Sequence, residues 1–317
     1  MAEACYIGID TSNYTTSVAV ADASGRVIAN LKSPLPVKVG ERGLRQSDAV
    51  FAHTKNLPGL LDRLGEVLQD YTPVAVGVSA RPRDAADSYM PCFLSGLVAA
   101  HAMAAERRLP IYEFSHQNGH IMAALYGSGA PEDLRQRPFG AFHVSGGTTE
   151  MVYVTPTVAG FDVSLCGEGL DLHAGQAVDR IGVAMGLSFP AGPALELLAM
   201  QNDKPIPPVR VSVKDGSCHL SGLENLALKL YAETEDKPLV AAFVLRFLTD
   251  TLHKMALHLR ERYPTLPLVF AGGVMSNRLI AAELRRRLPG EVYFSEPAFS
   301  ADNAAGIALL CRAAAEK

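Results

Sequence analysis

The sequence predicts an α/β protein built from two similar lobes facing a cleft, and three observations carry that prediction. The chain has 317 residues, more than the roughly 100–200 of one domain. Two distant stretches, YIGIDTSNYTTSVAVAD (Tyr6–Asp22) and AFHVSGGTTEMVYV (Ala141–Val154), share one pattern: an apolar strand, a loop of Ser, Thr and Gly, and a second strand. Each is followed by a further strand-like segment and then by helical sequence rich in alanine and leucine. A strand meander followed by helices, stated twice, implies two related lobes.

The elements follow in order. After the first hairpin, GRVIANLKS reads as a strand and FAHTKNLPGLLDRLGEVLQDY as a helix. FSHQNGHIMAALY (Phe114–Tyr126) reads as a helix with His116 and His120 four residues apart. The polar stretch SGAPEDLRQRPFG, with two prolines, suggests a boundary, giving a first lobe of residues 1–137 and a second of 138–317. The second hairpin leads into the strand-like GFDVSLCGE and the helical GQAVDRIGVAMGL. Near the end, Leu266–Ala271 reads as a buried strand, followed by Gly272-Gly273 and a helix capped by Ser276 or Asn277. FSADNAAGIALLC places Asp302 ahead of a last apolar helix, which is expected to cross back to the first lobe.

Composition narrows the class. Hydrophobic residues make up 48% and charged residues 20%, a globular balance that excludes a disordered chain. With a net charge of −4, a nucleic-acid role needs a local basic patch or a partner protein. The basic groups are the Arg42/Arg45 stretch, Arg107-Arg108 and Arg285-Arg286-Arg287, each equally readable as a solvated face. Five scattered cysteines without a Cys-x-x-Cys pair fit reduced thiols in the cytoplasm. No signal peptide pattern and no apolar run of about 18 residues is present, so membrane association is not expected.

Candidate chemistry sits at the motifs. Residues i and i+4 share a helix face, so His116 and His120 converge either on one metal ion or merely on solvent. The loops of small residues offer concave sets of backbone N–H donors suited to phosphate, or are ordinary hairpin turns. The better of the two comprises Ser145, Gly146, Gly147, Thr148 and Thr149. The other, Asp10-Thr11-Ser12, adds a carboxylate able to hold a metal-bound phosphate or water. Gly272-Gly273, between strand and helix, is a third place for a nucleotide to lie against backbone. Asp302 is either a helix cap or an exposed carboxylate.

These segments resemble a known family. Matched hairpins with a late Gly-Gly helix look like the superfold shared by actin, heat-shock chaperone ATPases and sugar kinases, with two ribonuclease H-like lobes. The details resemble the TsaD family, also called Gcp, which transfers a threonylcarbamoyl group from its adenylate to the adenosine beside a tRNA anticodon. The matching segments are Ile7-Gly-Ile-Asp-Thr-Ser12, His116-Gln-Asn-Gly-His120, Val144-Ser-Gly-Gly147, Gly192-Pro-Ala-Leu195, Ser221-Gly-Leu223, Ala271-Gly-Gly-Val274 with Asn277, and Asp302-Asn303, in the family's order. The resemblance implies that His116, His120 and Asp302 bind one divalent ion, iron or zinc. It implies that Val144–Gly147 takes the phosphate of an adenine nucleotide, threonylcarbamoyl-AMP or ATP/ADP, and that Asp179, Gly192 and Asn277 touch its sugar and base. It also implies tRNA as a partner, reached through partner proteins in a homodimer or heteromer.

Several positions depart from the family pattern. Thr-Ser-Cys-Asp-Glu-Thr becomes Thr11-Ser12-Asn13-Tyr14-Thr15-Thr16, Ser-Gly-Gly-His-Thr becomes Ser145-Gly-Gly-Thr148-Thr149, and two acids become Leu172 and Gln176. Arg81 and Arg83 enter a longer, more charged segment before Gly96. This pattern suits a divergent paralogue, with carbamoyl or acyl transfer to a small molecule, or nucleotide binding without turnover, as alternatives. An older label for the family, metallo-endopeptidase, fails here: Gln117, Asn118 and Gly119 stand between the histidines, where that mechanism needs a glutamate base. Sugar kinase chemistry has no use for the histidine pair.

Overall fold

The computed structural model describes residues 2–12, 14–36, 44–158 and 160–317; Asn13 and Arg42, singled out above, lie outside them. The elements in chain order are β1 (Glu3–Ser12), β2 (Thr15–Asp22), β3 (Val27–Pro34), α1 (Gln46–Val67), β4 (Tyr71–Arg81), α2 (Phe93–Arg107), β5 (Ile111–Ser115) and α3 (His116–Gly127). There follow β6 (Phe139–Val144), β7 (Thr149–Pro156), β8 (Phe161–Glu168), α4 (Ala174–Ala184), α5 (Gly192–Ala199), β9 (Ser212–Lys214), β10 (Ser217–His219), α6 (Ser221–Thr234) and α7 (Lys237–Arg262). The chain closes with β11 (Leu268–Ala271), α8 (Arg278–Arg287), β12 (Val292–Phe294), the one-turn α9 (Pro297–Ser300) and α10 (Ala305–Ala315).

Two compact units result. The first holds Met1–Tyr126, Pro156–Asp162 and Ala301–Lys317; the second holds Gly127–Thr155 and Val163–Ser300. They differ from a single cut after residue 137: the second begins earlier, and two later segments belong to the first.

In the first unit a five-stranded sheet has the order β3-β2-β1-β4-β5. The meander β1-β2-β3 is antiparallel, whereas β4 runs parallel to β1 and β5 parallel to β4. Alternation along β1 decides what each face meets. Ile7 and Ile9, fully buried, point into a core with Leu57, Leu60 and Leu64 of α1 and Ala100 and Ala104 of α2. Burying each such side chain is worth about 1.5–3 kcal/mol. The opposite face, which carries Gly8, receives α10. A Cβ built on Gly8 would lie 2.4 Å from the Ala308 amide nitrogen, so only glycine lets the helix so close. Where α10 meets α3 the fit is tighter still: a Cβ on Gly306 would stand 1.8 Å from the Gly119 carbonyl oxygen. This close crossing brings the histidine helix beside the segment that carries Asp302.

The second unit repeats the plan. Its sheet has the order β12-β11-β6-β7-β8, with β6 and β7 antiparallel and β6, β11 and β12 parallel. Counted from the third strand of each meander, the order is the same in both sheets. The core is aromatic on one side, where Phe142, Phe270 and Phe294 stack with centroids 4.4 and 4.9 Å apart. It continues through the long α7, whose Val240, Val244, Leu248, Leu252 and Met255 are buried. Leu172, standing where the resemblance expects an acid, belongs to this core.

The topology marks two places for ligands. From β1 the chain turns to β2 on one side of the sheet, and from β4 to β5 on the other. The same divergence separates β6 from β11. Ligand sites in open α/β sheets collect at such switch points, beyond the carboxyl ends of the strands.

Candidate metal centre

At the first switch point β1 ends in Asp10-Thr11-Ser12 and β4 in Ser79-Ala80-Arg81. Asp10 is almost fully buried, and both its oxygens are engaged: Ser79 Oγ donates to Oδ1 at 2.6 Å, and His116 Nδ1 lies 2.7 Å from Oδ2. A carboxylate against Nδ1 fixes the proton there in the neutral ring, so Nε2 is the nitrogen a cation would take in exchange for its proton. His116 begins α3 and His120 lies one turn on, with ring centroids 4.3 Å apart. Asp302 Oδ1 is 3.1 Å from His120 Nε2 and 3.8 Å from His116 Nε2. The side chains of His116, His120 and Asp302 are 19%, 14% and 24% exposed, so the cluster is open to solvent on one side.

The donor set fits a divalent ion. Two imidazole nitrogens and a carboxylate oxygen lie within 4.8 Å of one another. Donors each about 2.0–2.2 Å from a shared ion stand roughly 3–4 Å apart, and the separations of Asp302 Oδ1 from the two imidazole nitrogens, 3.1 and 3.8 Å, fall in that range. Two histidines and one carboxylate suit zinc with an open position, or ferrous iron. The electrostatics agree. Burial works against the His116 imidazolium, but Asp10 beside Nδ1, and then Asp302, outweigh it and hold the pKa up to about 9. Two carboxylates, Asp10 and Asp302, thus favour positive charge at the histidine pair, whether a proton or a metal ion supplies it.

The remaining expected residues divide. Asp10, read from sequence as able to hold a metal-bound phosphate or water, has its two oxygens on Ser79 and His116. Thr11 ties β1 to α2, donating to the Cys92 carbonyl and accepting from the Gly96 amide. Ser12 Oγ is buried with no hydrogen-bond partner among the described residues. At the start of α10 the Asn303 side chain accepts the Ala305 amide, while an Asp302 oxygen lies against the two imidazoles.

The other expected residues lie in the second unit. Val144, at the carboxyl end of β6, touches Gly272, whose φ of +102° and 2.3 Å approach of a built Cβ to the Val144 oxygen admit only glycine. In the hairpin loop Ser145 Oγ accepts the Gly147 and Thr148 amides. Gly146, Gly147 and Gly273 are exposed, and a Cβ on any of them would meet nothing within 4 Å. Asn277 caps α8 through the Leu279 and Ile280 amides, the alternative to Ser276 that the structure selects. The Asp179 carboxylate accepts the Ala191 amide ahead of α5, where Gly192 starts, and burial raises its pKa. These two polar side chains therefore hold helix starts, while Gly146, Gly147 and Gly273 leave open space on the side where a Cβ would stand.

Ser79, the partner of Asp10, was missed in the sequence. Its signal is the first polar residue after the apolar run Val74–Val78 in a strand parallel to β1.

Comparison with known proteins places this geometry. Over 99% of its length the chain superposes on (R)-2-hydroxyglutaryl-CoA dehydratase component A of Acidaminococcus fermentans, at 16% identity and a TM-score of 0.57, covering 99% of that chain. HypF from T. kodakarensis gives 13% identity and a TM-score of 0.64, with 99% of this chain matching 48% of that one. Full-length HypF in its phosphate- and nucleotide-bound form gives 12% and 0.63, with 99% matching 56%. At such identities the likeness is one of fold, the actin-like pair of ribonuclease H-like units. A family model described as TsaD: tRNA N6-adenosine threonylcarbamoyltransferase matches residues 89–309, which is 221 of the 317 residues and spans the histidine pair, the glycine loops and Asp302. On that match the chain belongs to the TsaD family.

Proposed function

We propose that this protein is a metal-dependent transferase that takes a threonylcarbamoyl or related carbamoyl group from an adenylate and passes it to an amine. The observation that carries the reading is the convergence of His116, His120 and Asp302 with Asp10 behind His116. A divalent ion held by those three residues would act as a Lewis acid on the carbonyl under attack. Asp10 keeps the His116 proton on Nδ1 and fixes the ring. Asp302 supplies the one anionic donor, and the open side of the cluster leaves room for substrate. In the second unit, the Ser145–Thr148 loop and Gly272-Gly273 offer backbone to the phosphate and nucleoside of the adenylate.

The acceptor we propose is a tRNA adenosine reached with the help of partner proteins, in a homodimer or heteromer. The basic residues support the need for partners. Arg81 pairs with Asp84 at 2.6 Å, Arg286 with Glu283 and Arg287 with Asp250, while Arg285 lies over the Phe294 ring. Arginines so engaged make weak phosphate anchors, and this same observation favours a small-molecule amine as the second reading. The test is direct: purified chain, loaded with zinc or ferrous iron, is incubated with threonylcarbamoyl-adenylate and unmodified tRNA, with and without cell extract, and the nucleosides are resolved by mass spectrometry. Threonylcarbamoyladenosine that depends on the metal supports the tRNA reading. Consumption of adenylate without tRNA modification moves the acceptor to a small molecule, and no consumption under any condition contradicts the transferase reading.

A further inference from the structure

We propose that Lys32 and Ser12 form an anion subsite beside the metal triad, shaped for the planar oxyanion of a carbamate or carboxylate. This deepens the function proposed above and rests on its metal reading.

Cross-strand partners in a sheet share a face. Asp10 of β1 pairs with Ser17 of β2, and Ser17 pairs with Lys32 of β3. Ser79 of β4 reaches Asp10 directly. Lys32, Ser17, Asp10 and Ser79 therefore make one row across the sheet, on the face where Gly8 meets α10 and Asp10 meets His116. Ser17 is small and turned to the Asp10 carbonyl, so nothing bulky on β2 stands in this row between the lysine stem and the metal cluster. Burial lowers the pKa of the Lys32 ammonium while Asp302 raises it, which puts the two charges within reach of each other.

Ser12 lies two residues beyond Asp10, hence on the same face and nearer the strand end. Its Oγ is buried and has no partner among the described residues, although a buried hydroxyl without one is costly. A ligand oxygen would satisfy it.

Charge points to the ligand's sign. A divalent ion and the Lys32 ammonium face two carboxylates, Asp10 and Asp302, leaving one positive charge that a singly charged oxyanion cancels. A planar oxyanion has two oxygens to share, one for a metal held by the triad and one for Lys32 or Ser12. Carbamates and carboxylates have this shape, and bicarbonate mimics both.

The full chain is loaded with cobalt(II), whose visible spectrum reports coordination, and titrated with bicarbonate; cobalt content is measured alongside. The proposal expects a saturable spectral change in the wild type. With cobalt content unchanged, Lys32→Met should weaken bicarbonate about tenfold or more, Ser12→Ala a few-fold, and Lys32→Arg less than about threefold, as for loss of one charge-assisted hydrogen bond, one neutral one, and neither. Equal affinity in wild type and Lys32→Met overturns it. So does a wild-type spectrum indifferent to bicarbonate, or loss of cobalt from Lys32→Met, which would make Lys32 only a support for Asp302. If the wild type takes up no cobalt, the metal reading itself has failed, and that outcome is distinct from the others.

Discussion

The two sheets share one strand order, yet their switch points hold opposite kinds of chemistry. In the first unit the strand ends carry side chains that interlock: Ser79 on Asp10, Asp10 on His116, and His120 with Asp302. In the second they carry glycine, with Gly146, Gly147 and Gly273 facing open space and Gly272 pressed against Val144. A duplicated topology fixes where a site lies; the residues at the strand ends decide whether it works through side-chain donors or main-chain donors.

That contrast can be broken from either side. The largest effect is expected in the first unit. Replacing His116 and His120 together by alanine should remove bound metal and abolish transfer while leaving circular dichroism unchanged, because neither side chain belongs to the apolar core. The second unit should instead fail through its backbone. Gly272→Ala puts a Cβ into the Val144 carbonyl at a φ of +102° and should cost about 2–4 kcal/mol, read as a lower denaturant midpoint. A value under about 0.5 kcal/mol would show that the turn relaxes freely.

Smaller effects sharpen the comparison. Asp10→Asn leaves the shape but weakens the hold on the His116 proton, and should cost about 10–100-fold in metal affinity by competition titration. The pH dependence follows from the raised pKa of His116. In the metal-free protein its charged form is favoured by folding, so that contribution is fully present below about 6.5 and is lost as the pH climbs through about 9. Thermal melts of the metal-free protein should record that loss over this window, and metal affinity should rise over the same window as the competing proton leaves. The smallest structural effect is expected at Gly146→Ala: the fold should be indifferent, within about 0.5 kcal/mol, while thermal stabilisation by an adenylate analogue shrinks.

Much of this was legible in the sequence, for physical reasons. Strand alternation and small-residue loops are local, so both hairpins could be read, and with them the doubled fold. The histidine pair is local too, since i and i+4 meet on any helix. Asp302 was reached through family resemblance, because 182 residues separate it from His120 in the chain. The Asp10–His116 and Asp10–Ser79 contacts depend on parallel strand pairing, which no local pattern announces. Nothing in the strand-like GRVIANLKS singles out Lys32; only the register from β3 through β2 to β1 places it on the metal face. Of the lost family acids, Leu172 is absorbed by the second core, and Gln176 accepts the His173 amide at the start of α4. The exchange at Thr148 finds no explanation in the structure.

The central claim is that a carboxylate near the end of the chain completes a cation site begun by two histidines from its first half. Elemental analysis of wild type and Asp302→Ala, purified in parallel and dialysed against the same free zinc, tests it most directly. The account predicts one equivalent of zinc in the wild type and little in the variant, both folded. Stoichiometric zinc retained by Asp302→Ala would contradict it.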